Sequence, residues 1–149
     1  MIQKNLEQSV FANVFRLSNK LQAEGDKLSN ELTLKQWFLL LILYKGRMKN
    51  PTVNNLALEM GVTRQSAKKM VAILEKNGYV SVEKSSSDSR ALYICPTAKA
   101  YCFFQKNKLL GKGLLDKVFV GIDEDELITA LRVLHKMQVN LQETGKTDV

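Results

Sequence analysis

The sequence contains few of the side chains from which catalytic and metal sites are built. Its 149 residues include one histidine, His135, and two cysteines, Cys95 and Cys102. No cysteine or carboxylate stands at metal-ligand spacing from His135, and the sequence has neither a glycine-rich phosphate loop nor a nucleophile beside a recognisable base. We therefore expect no enzyme activity, no metal site and no cofactor, and we interpret His135 as an exposed helix residue.

The sequence also lacks an apolar run long enough for a membrane helix. The run from Trp37 to Tyr44 has eight apolar residues and is predicted to form a buried core helix, which Thr33 and Gln36 begin with a capping box. A membrane span needs about 20 apolar residues. The polar N-terminus lacks the apolar core of a signal peptide. These absences predict a cytoplasmic protein whose cysteines remain thiols. Small buried side chains are expected at both cysteine positions, with oxidant sensing as the alternative.

Negative charge is scarce in the middle of the chain. Residues 33–117 carry fifteen Lys or Arg against five Asp or Glu, whereas residues 118–149 carry three against six. The formal net charge of +7 is therefore concentrated in the middle, and this predicts salt-dependent binding to a polyanion. A length of 149 residues with 45% hydrophobic content is typical of one compact domain.

Within the basic region, residues 52–74 have the pattern of two helices joined by a tight turn. Gly61 is a helix C-terminal signal, and Thr63 is predicted to cap the second helix. Helical spacing directs one set of side chains inward, namely Ala67, Met70, Val71 and Leu74. The opposite face carries Arg64, Gln65, Lys68 and Lys69, and residues 60–74 contain no carboxylate. This is a helix-turn-helix pattern, with an ordinary solvated basic helix as the alternative.

A predicted β-hairpin follows the second helix. Residues 79–84 alternate apolar and polar side chains, residues 85–90 form a polar turn, and residues 91–95 return as a second strand. A hairpin after a helix-turn-helix is the wing of a winged helix-turn-helix, whose second helix enters the major groove while the wing tip meets phosphates or the minor groove. Arg90 is the cation expected to make the wing contact. Asp88 is predicted to pair with the Arg90 guanidinium and hold it in position.

These features resemble the multiple antibiotic resistance regulators, the MarR family. The resemblance rests on the helix-turn-helix, on residues 74–80 at the entry to the wing and on Asp88-Ser89-Arg90 within it, and it extends over nearly the whole chain. It implies one mainly helical domain, 1–149, with a small hairpin wing, a winged-helix lobe at 33–96 and dimerisation helices at 1–24 and 97–145. It also implies binding of double-stranded DNA through Thr63, Arg64, Gln65, Ser66, Lys68, Lys69, Lys84, Ser87, Asp88 and Arg90.

The helices outside the lobe carry apolar stripes, one in residues 2–24 and one in residues 127–141, and Asp123 is predicted to cap the second of these helices. We expect these stripes to form a homodimer interface, because two related recognition helices read both halves of a palindrome; packing within one chain is the alternative. The family resemblance further implies a small aromatic or amphipathic effector between the dimerisation helices and the lobe, near Phe11, Phe15, Arg16, Trp37 and Phe104. The alternative for each of these side chains is a role in the core.

The sequence therefore predicts a homodimeric transcriptional regulator that binds a palindromic operator, acts as a repressor and responds to a ligand. The alternative is a winged-helix module that binds another protein or binds nucleic acid without sequence preference.

Overall fold

The computed structural model describes residues 2–88 and 90–144. Ser89, in the predicted wing motif, and residue 145, the predicted end of the last helix, lie outside the described residues. Chain contacts divide the protein into two compact units, Met1–Gly111 and Lys112–Val149. The described elements, in chain order, are α1 (Ile2–Gly25), α2 (Leu34–Tyr44), α3 (Val53–Met60), α4 (Arg64–Lys76), β1 (Val80–Lys84), β2 (Leu92–Pro96), α5 (Ala98–Val118) and α6 (Glu124–Thr144). The predicted mainly helical fold with a hairpin wing is confirmed.

Reciprocal capping boxes begin three of these helices. At the start of α2, the Gln36 amide donates to Thr33 Oγ1 and the Thr33 amide donates to Gln36 Oε1, at 3.3 and 3.0 Å. Asp123 and Glu126 make the same exchange at the start of α6, at 2.9 and 3.0 Å. Each box satisfies backbone amides that have no partner within the helix. The sequence predicted the Thr33 box and the Asp123 cap, but not the third box, between Thr52 and Asn55 at the start of α3.

The turn between α3 and α4 depends on Gly61. Its φ is +66°, and its amide donates to the Leu58 carbonyl at 3.2 Å while the Val62 amide donates to the Ala57 carbonyl at 3.0 Å. This pair of hydrogen bonds ends α3 in a Schellman motif, for which glycine is the favoured residue. Thr63 then caps α4 as predicted, so only three residues, 61–63, separate α3 from α4.

The core of the first unit lies where α2, α3, α4 and β2 meet. Its fully buried side chains are Leu39, Leu40, Leu56, Leu74 and Ile94. Trp37 packs edge-on against Phe103 of α5, with 5.0 Å between ring centroids. The prediction that the whole run from Trp37 to Tyr44 is buried is wrong for Phe38 and Tyr44, which are 45% and 41% exposed. A helix of this length presents side chains in every direction, and the neighbouring elements cover only part of its circumference.

The hairpin is antiparallel, with Val80 opposite Pro96 and Lys84 opposite Leu92. Both strands begin one residue later than predicted. The Ile94 amide donates to the Pro51 carbonyl at 2.8 Å, which ties β2 to the residue before the α3 cap. The wing is therefore fixed to the helix-turn-helix through the backbone as well as through the core.

The second unit contains the last residues of α5, 112–118, and the whole of α6. Three acidic residues occupy the first turn of α6, namely Glu124, Asp125 and Glu126. Their negative charges stabilise the helix because its N-terminal end carries the positive end of the helix dipole. Large apolar side chains of α6 remain exposed, among them Ile128, Leu131 and Leu134. Within residues 2–88 and 90–144, no helix combines the length and hydropathy that a membrane crossing requires.

The α3–α4 turn yields a stability prediction. We expect Gly61→Ala to lower the free energy of unfolding by about 1 kcal/mol, because an L side chain is strained at positive φ. Gly113→Ala is the matched control: nothing lies within 4 Å of its added Cβ, and alanine replaces glycine inside a helix, which favours folding by about 1 kcal/mol. Chemical denaturation measures both variants. Equal effects of the same sign would contradict this account.

Candidate nucleic-acid interface

The rotation of α4 about its axis is set by three buried side chains. Ala67, Val71 and Leu74 face the core, with Ala67 fully buried at 0% exposure, and Met70 is half-buried. The predicted inward face of α4 is therefore confirmed. The opposite face exposes the predicted contact residues, Arg64, Gln65, Ser66, Lys68 and Lys69, and the first turn of α4 contains no acidic residue.

Two of the predicted contact residues also build the start of α4. Thr63 Oγ1 accepts a hydrogen bond from the Ser66 amide at 3.1 Å and donates one to Ser66 Oγ at 3.0 Å. Thr63 therefore fixes the first turn as an N-cap. Any phosphate contact by these hydroxyls would add to this structural role.

The wing loop is folded around the Ser85 hydroxyl. Ser85 Oγ accepts hydrogen bonds from the amides of Ser87 and Asp88 at 3.2 and 3.1 Å, and the Ser85 amide donates to the Ala91 carbonyl at 3.0 Å. Lys84, Ser87 and Arg90, the other residues predicted to contact DNA from the wing, are all exposed. The wing therefore presents two cations, Lys84 at the end of β1 and Arg90 in the hydrogen-bonded loop.

Asp88 holds Arg90 differently from the prediction. Asp88 Oδ1 accepts a hydrogen bond from the Arg90 backbone amide at 2.9 Å. In the described part of the chain, no carboxylate lies within ion-pair distance of the Arg90 guanidinium. The predicted pairing with the guanidinium is therefore wrong: a short aspartate two residues before an amide closes an Asx-turn. Asp88 shapes the loop backbone and leaves the Arg90 charge exposed.

The start of α5 anchors the end of α4. Thr97 Oγ1 donates to the Gly78 carbonyl at 2.6 Å, and Lys99 Nζ donates to the Asn77 carbonyl at 2.8 Å. Lys99 Nζ also lies 4.5 Å from the centroid of the Tyr79 ring, within the range of a cation–π interaction. These contacts fix the junction between α4 and β1.

Tyr79 connects this junction to two distant parts of the first unit. Its hydroxyl donates to Glu31 Oε2 at 2.6 Å, and Lys106 Nζ lies 3.1 Å from Glu31 Oε1. Burial and the hydrogen bond to Glu31 raise the pKa of Tyr79 to about 12. Hydrogen bonds from Tyr79 and Lys106 lower the pKa of Glu31. The sequence does not reveal this network, because Tyr79 and Lys106 stand 48 and 75 residues from Glu31 and no local pattern connects them.

The residues predicted to surround an effector lie in different environments. Trp37 is buried in the core, and Phe104 packs against Tyr44 with 4.6 Å between ring centroids. Phe11 and Phe15 form an exposed pair on α1, with centroids 5.2 Å apart, and Arg16 is exposed. Two cavities of about 220 and 250 Å³ in the first unit have linings that include none of these five residues. The effector site stays a prediction.

The cysteines and the histidine differ in exposure. Cys102 is exposed, so the expectation of a small buried side chain at that position is wrong. Cys95 is half-buried, and burial together with the nearby Glu83 carboxylate raises the pKa of its thiol, which disfavours the reactive thiolate. His135 is exposed, as predicted. Across the described residues, no group of three or more His, Cys, Asp or Glu side chains is placed to hold a metal ion.

Comparison with known proteins supports the family resemblance. Residues 32–92 match the MarR family, and this range contains the helix-turn-helix and most of the wing. The fold is similar to the transcriptional regulator PA3341, with a TM-score of 0.74 and 27% identity over 90% of this chain and 98% of that one. It is also similar to Sco3205, a MarR family transcriptional regulator from Streptomyces coelicolor solved in complex with DNA, with a TM-score of 0.81 and 21% identity over 93% and 89%.

A third structure of the same fold is BpsR from Bordetella bronchiseptica, whose DNA binding is regulated by 6-hydroxynicotinic acid. The TM-score is 0.74, with 15% identity over 86% of this chain and 91% of that one. The resemblance to the MarR family inferred from the sequence is confirmed.

The Tyr79 network yields a pH-dependent prediction. We expect Tyr79→Phe to lower the free energy of unfolding at neutral pH by about 1.5 kcal/mol, because a hydrogen bond to a carboxylate is lost. Since the pKa of Tyr79 rises from 10.0 to about 12 on folding, its stabilising effect is complete below pH 10 and is lost as the pH rises towards 12. The difference between wild type and variant should shrink over that range in urea denaturation.

Tyr93→Phe is the control for this experiment, because the Tyr93 hydroxyl makes no hydrogen bond within the described residues. A difference between wild type and Tyr79→Phe that stays constant between pH 9 and pH 11 would contradict the assignment.

Proposed function

Because its winged-helix lobe matches the MarR family over residues 32–92, we propose that this protein is a sequence-specific DNA-binding transcriptional regulator. It binds a palindromic operator as a homodimer and acts in the cytoplasm as a repressor. The observation that carries the proposal is the exposed basic face of α4, which the buried positions Ala67, Val71 and Leu74 direct outward.

The exposed face of α4 has the chemistry that major-groove recognition requires. The Gln65 amide offers a donor and an acceptor, the pair that reads the N6 and N7 edge of adenine. Arg64 suits the O6 and N7 acceptors of guanine, whereas Lys68 and Lys69, one turn further along, suit phosphates. The absence of a carboxylate on α4 before Glu75 removes repulsion from the DNA backbone.

The homodimer is supported by the apolar surface outside the lobe. Exposed apolar side chains of α1 are Ile2, Leu6, Val10, Phe11, Val14, Phe15 and Leu17. Exposed ones of α6 are Ile128, Leu131, Val133, Leu134 and Leu141. So many large exposed apolar side chains on one helix are unusual on a soluble monomer, and larger apolar patches of this kind mark interaction sites. Two lobes related by a two-fold axis would read half-sites about one helical turn apart.

The proposal includes a small aromatic or amphipathic effector that releases the repressor, as 6-hydroxynicotinic acid regulates the relative BpsR. Its site would include Phe11, Phe15, Arg16, Trp37 and Phe104. Such an effector acts only if it binds one separation of the two recognition helices better than another.

Competition binding tests the function. The protein is titrated into duplex that flanks its own gene, and into genome-derived fragments, with excess random competitor at about physiological salt. Retained binding to a palindromic fragment is the expected result, because specific complexes are typically about 10³ to 10⁷ times tighter than nonspecific ones. Loss of every fragment to the competitor would favour a nonspecific nucleic-acid or protein-binding module instead.

Substitutions on α4 separate base contacts from phosphate contacts. We expect Gln65→Ala to weaken the specific complex by about 1–3 kcal/mol and to relax base preference at one position. Lys68→Ala should weaken specific and random duplex by a similar factor and reduce the salt dependence of both. Binding assays on single-base variants of the operator distinguish these outcomes. The reverse pattern would show that α4 meets the DNA in another orientation.

A charge on the α6 surface should separate the protomers. Leu131 is 68% exposed, so Leu131→Glu is expected to leave the fold intact while placing a desolvated carboxylate in the dimer interface. Leu58→Glu is the matched control, because Leu58 is 79% exposed on α3, outside the apolar stripes of α1 and α6. Analytical ultracentrifugation should show monomer for Leu131→Glu and dimer for Leu58→Glu. Dimer for both, or a monomeric wild type, would contradict this interface.

A further inference from the structure

The loop between α2 and α3 carries three cations that the predicted DNA interface does not include. Lys45, Arg47 and Lys49 are exposed, and within the described residues none of them lies within ion-pair distance of a carboxylate. The sequence contains no Asp or Glu between Glu31 and Glu59. The loop is therefore rich in positive charge. Glu59 lines a cavity together with Lys45 and Arg47, but in the described part of the chain it forms an ion pair with neither.

The backbone of this loop is held at both ends. The Lys45 and Gly46 amides donate to the Leu41 and Leu43 carbonyls, both at 3.0 Å, and the Pro51 carbonyl accepts from Ile94 of β2 at 2.8 Å. The Thr52 capping box follows directly, and its partner is the neutral Asn55. The backbone on both sides of the loop is thus held by hydrogen bonds, which limits how far the three cations can move from the lobe.

The apolar surface beneath the loop accounts for only part of this arrangement. A shallow cavity of about 250 Å³ is lined by Phe38, Leu41, Ile42, Lys45, Arg47, Met48 and Glu59. Lys45 and Arg47 line this cavity and are exposed, as expected of long side chains that can place an aliphatic stem on apolar surface and a charged end in water. The cavity explains why residues 45 and 47 have long side chains, but it does not explain why they are charged. It also does not explain Lys49, which is not part of the lining.

The position of the loop beside the helix-turn-helix explains why these three residues are positively charged. In a helix-turn-helix, the second helix enters the major groove while the first helix crosses the DNA backbone. The first helix here is α3, and the loop leads into its N-terminal end. We propose that Lys45, Arg47 and Lys49 bind phosphates of duplex DNA that flank the half-site contacted by α4. This inference rests on the proposed DNA-binding function.

The salt dependence of binding tests the inference. Each phosphate neutralised contributes about 0.9 to the slope of log K against log salt concentration on B-form DNA. We expect Arg47→Gln to reduce that slope by about 1 per protomer, and the triple variant K45Q/R47Q/K49Q to reduce it by about 3 per protomer. The reductions should be equal on operator and on random duplex, so discrimination between them stays unchanged.

Two further variants control for net charge and for folding. Lys20→Gln removes one exposed charge from α1, outside the lobe, and should leave the slope unchanged. Arg47→Lys keeps the charge and should retain a slope close to that of wild type. Thermal unfolding of each variant, compared with wild type, identifies any loss of fold.

The outcomes separate this inference from the proposed function. Wild-type slopes in Arg47→Gln and in the folded triple variant would overturn the phosphate contacts while leaving operator recognition by α4 intact. Reduced slopes without discrimination between operator and random duplex would support the contacts and overturn the proposed function. Absence of binding to any duplex would overturn both.

Discussion

The burial of one face of α4 determines which side chains the helix-turn-helix exposes to solvent. Ala67, Val71 and Leu74 are buried in the core of the lobe. Truncating a fully buried leucine such as Leu74 to alanine costs about 2–5 kcal/mol of stability. A rotation of α4 that exposed these side chains would lose stabilisation of this order, so their burial fixes the rotation of the helix. Helical geometry places the remaining positions on the opposite face. The side chains of Arg64, Gln65, Lys68 and Lys69 therefore point to solvent. The surface chemistry of the lobe follows from its core.

Both ends of α4 are then fixed by hydrogen bonds. At the N-terminal end, the Gly61 turn and the Thr63 cap determine where the helix begins. At the C-terminal end, contacts from α5 and the Tyr79–Glu31 hydrogen bond hold the junction with the wing. A helix held in this way loses little conformational freedom when it binds a partner, so more of its interaction energy contributes to affinity. The stability of the lobe and the precision of the DNA contacts that we propose for it therefore depend on the same interactions.

The parts of this fold that the sequence predicted are those with a local physical cause. The Thr33 capping box, the Gly61 turn and the inward positions of α4 all depend on residues fewer than eight apart, and the structure contains each of them. β1 and β2 each begin one residue later than predicted. The register of a hairpin depends on its turn as well as on the alternation of side chains, so the alternation alone does not fix where the strands begin. The family resemblance was carried by the same local patterns.

The features that the sequence did not predict depend on distant residues or on choices between chemically similar partners. The Glu31–Tyr79–Lys106 network joins three segments, and no periodicity marks its members. From the sequence, the Asp88 carboxylate could accept a hydrogen bond from either the guanidinium or the backbone amide of Arg90. The folded loop places the amide against it. Phe38, Tyr44 and Cys102 proved exposed because composition indicates that a segment is apolar without indicating which faces its neighbours cover.

In the proposed complex, α4 and the wing bind DNA in the same way in two symmetrically related protomers. Hydroxyl-radical footprinting on a fragment that survives competition would detect this symmetry. We expect two protected regions, related by the symmetry of a palindrome and centred about one helical turn apart, 10–10.5 base pairs or a multiple of it. A single protected region, or uniform protection without symmetry, would contradict it.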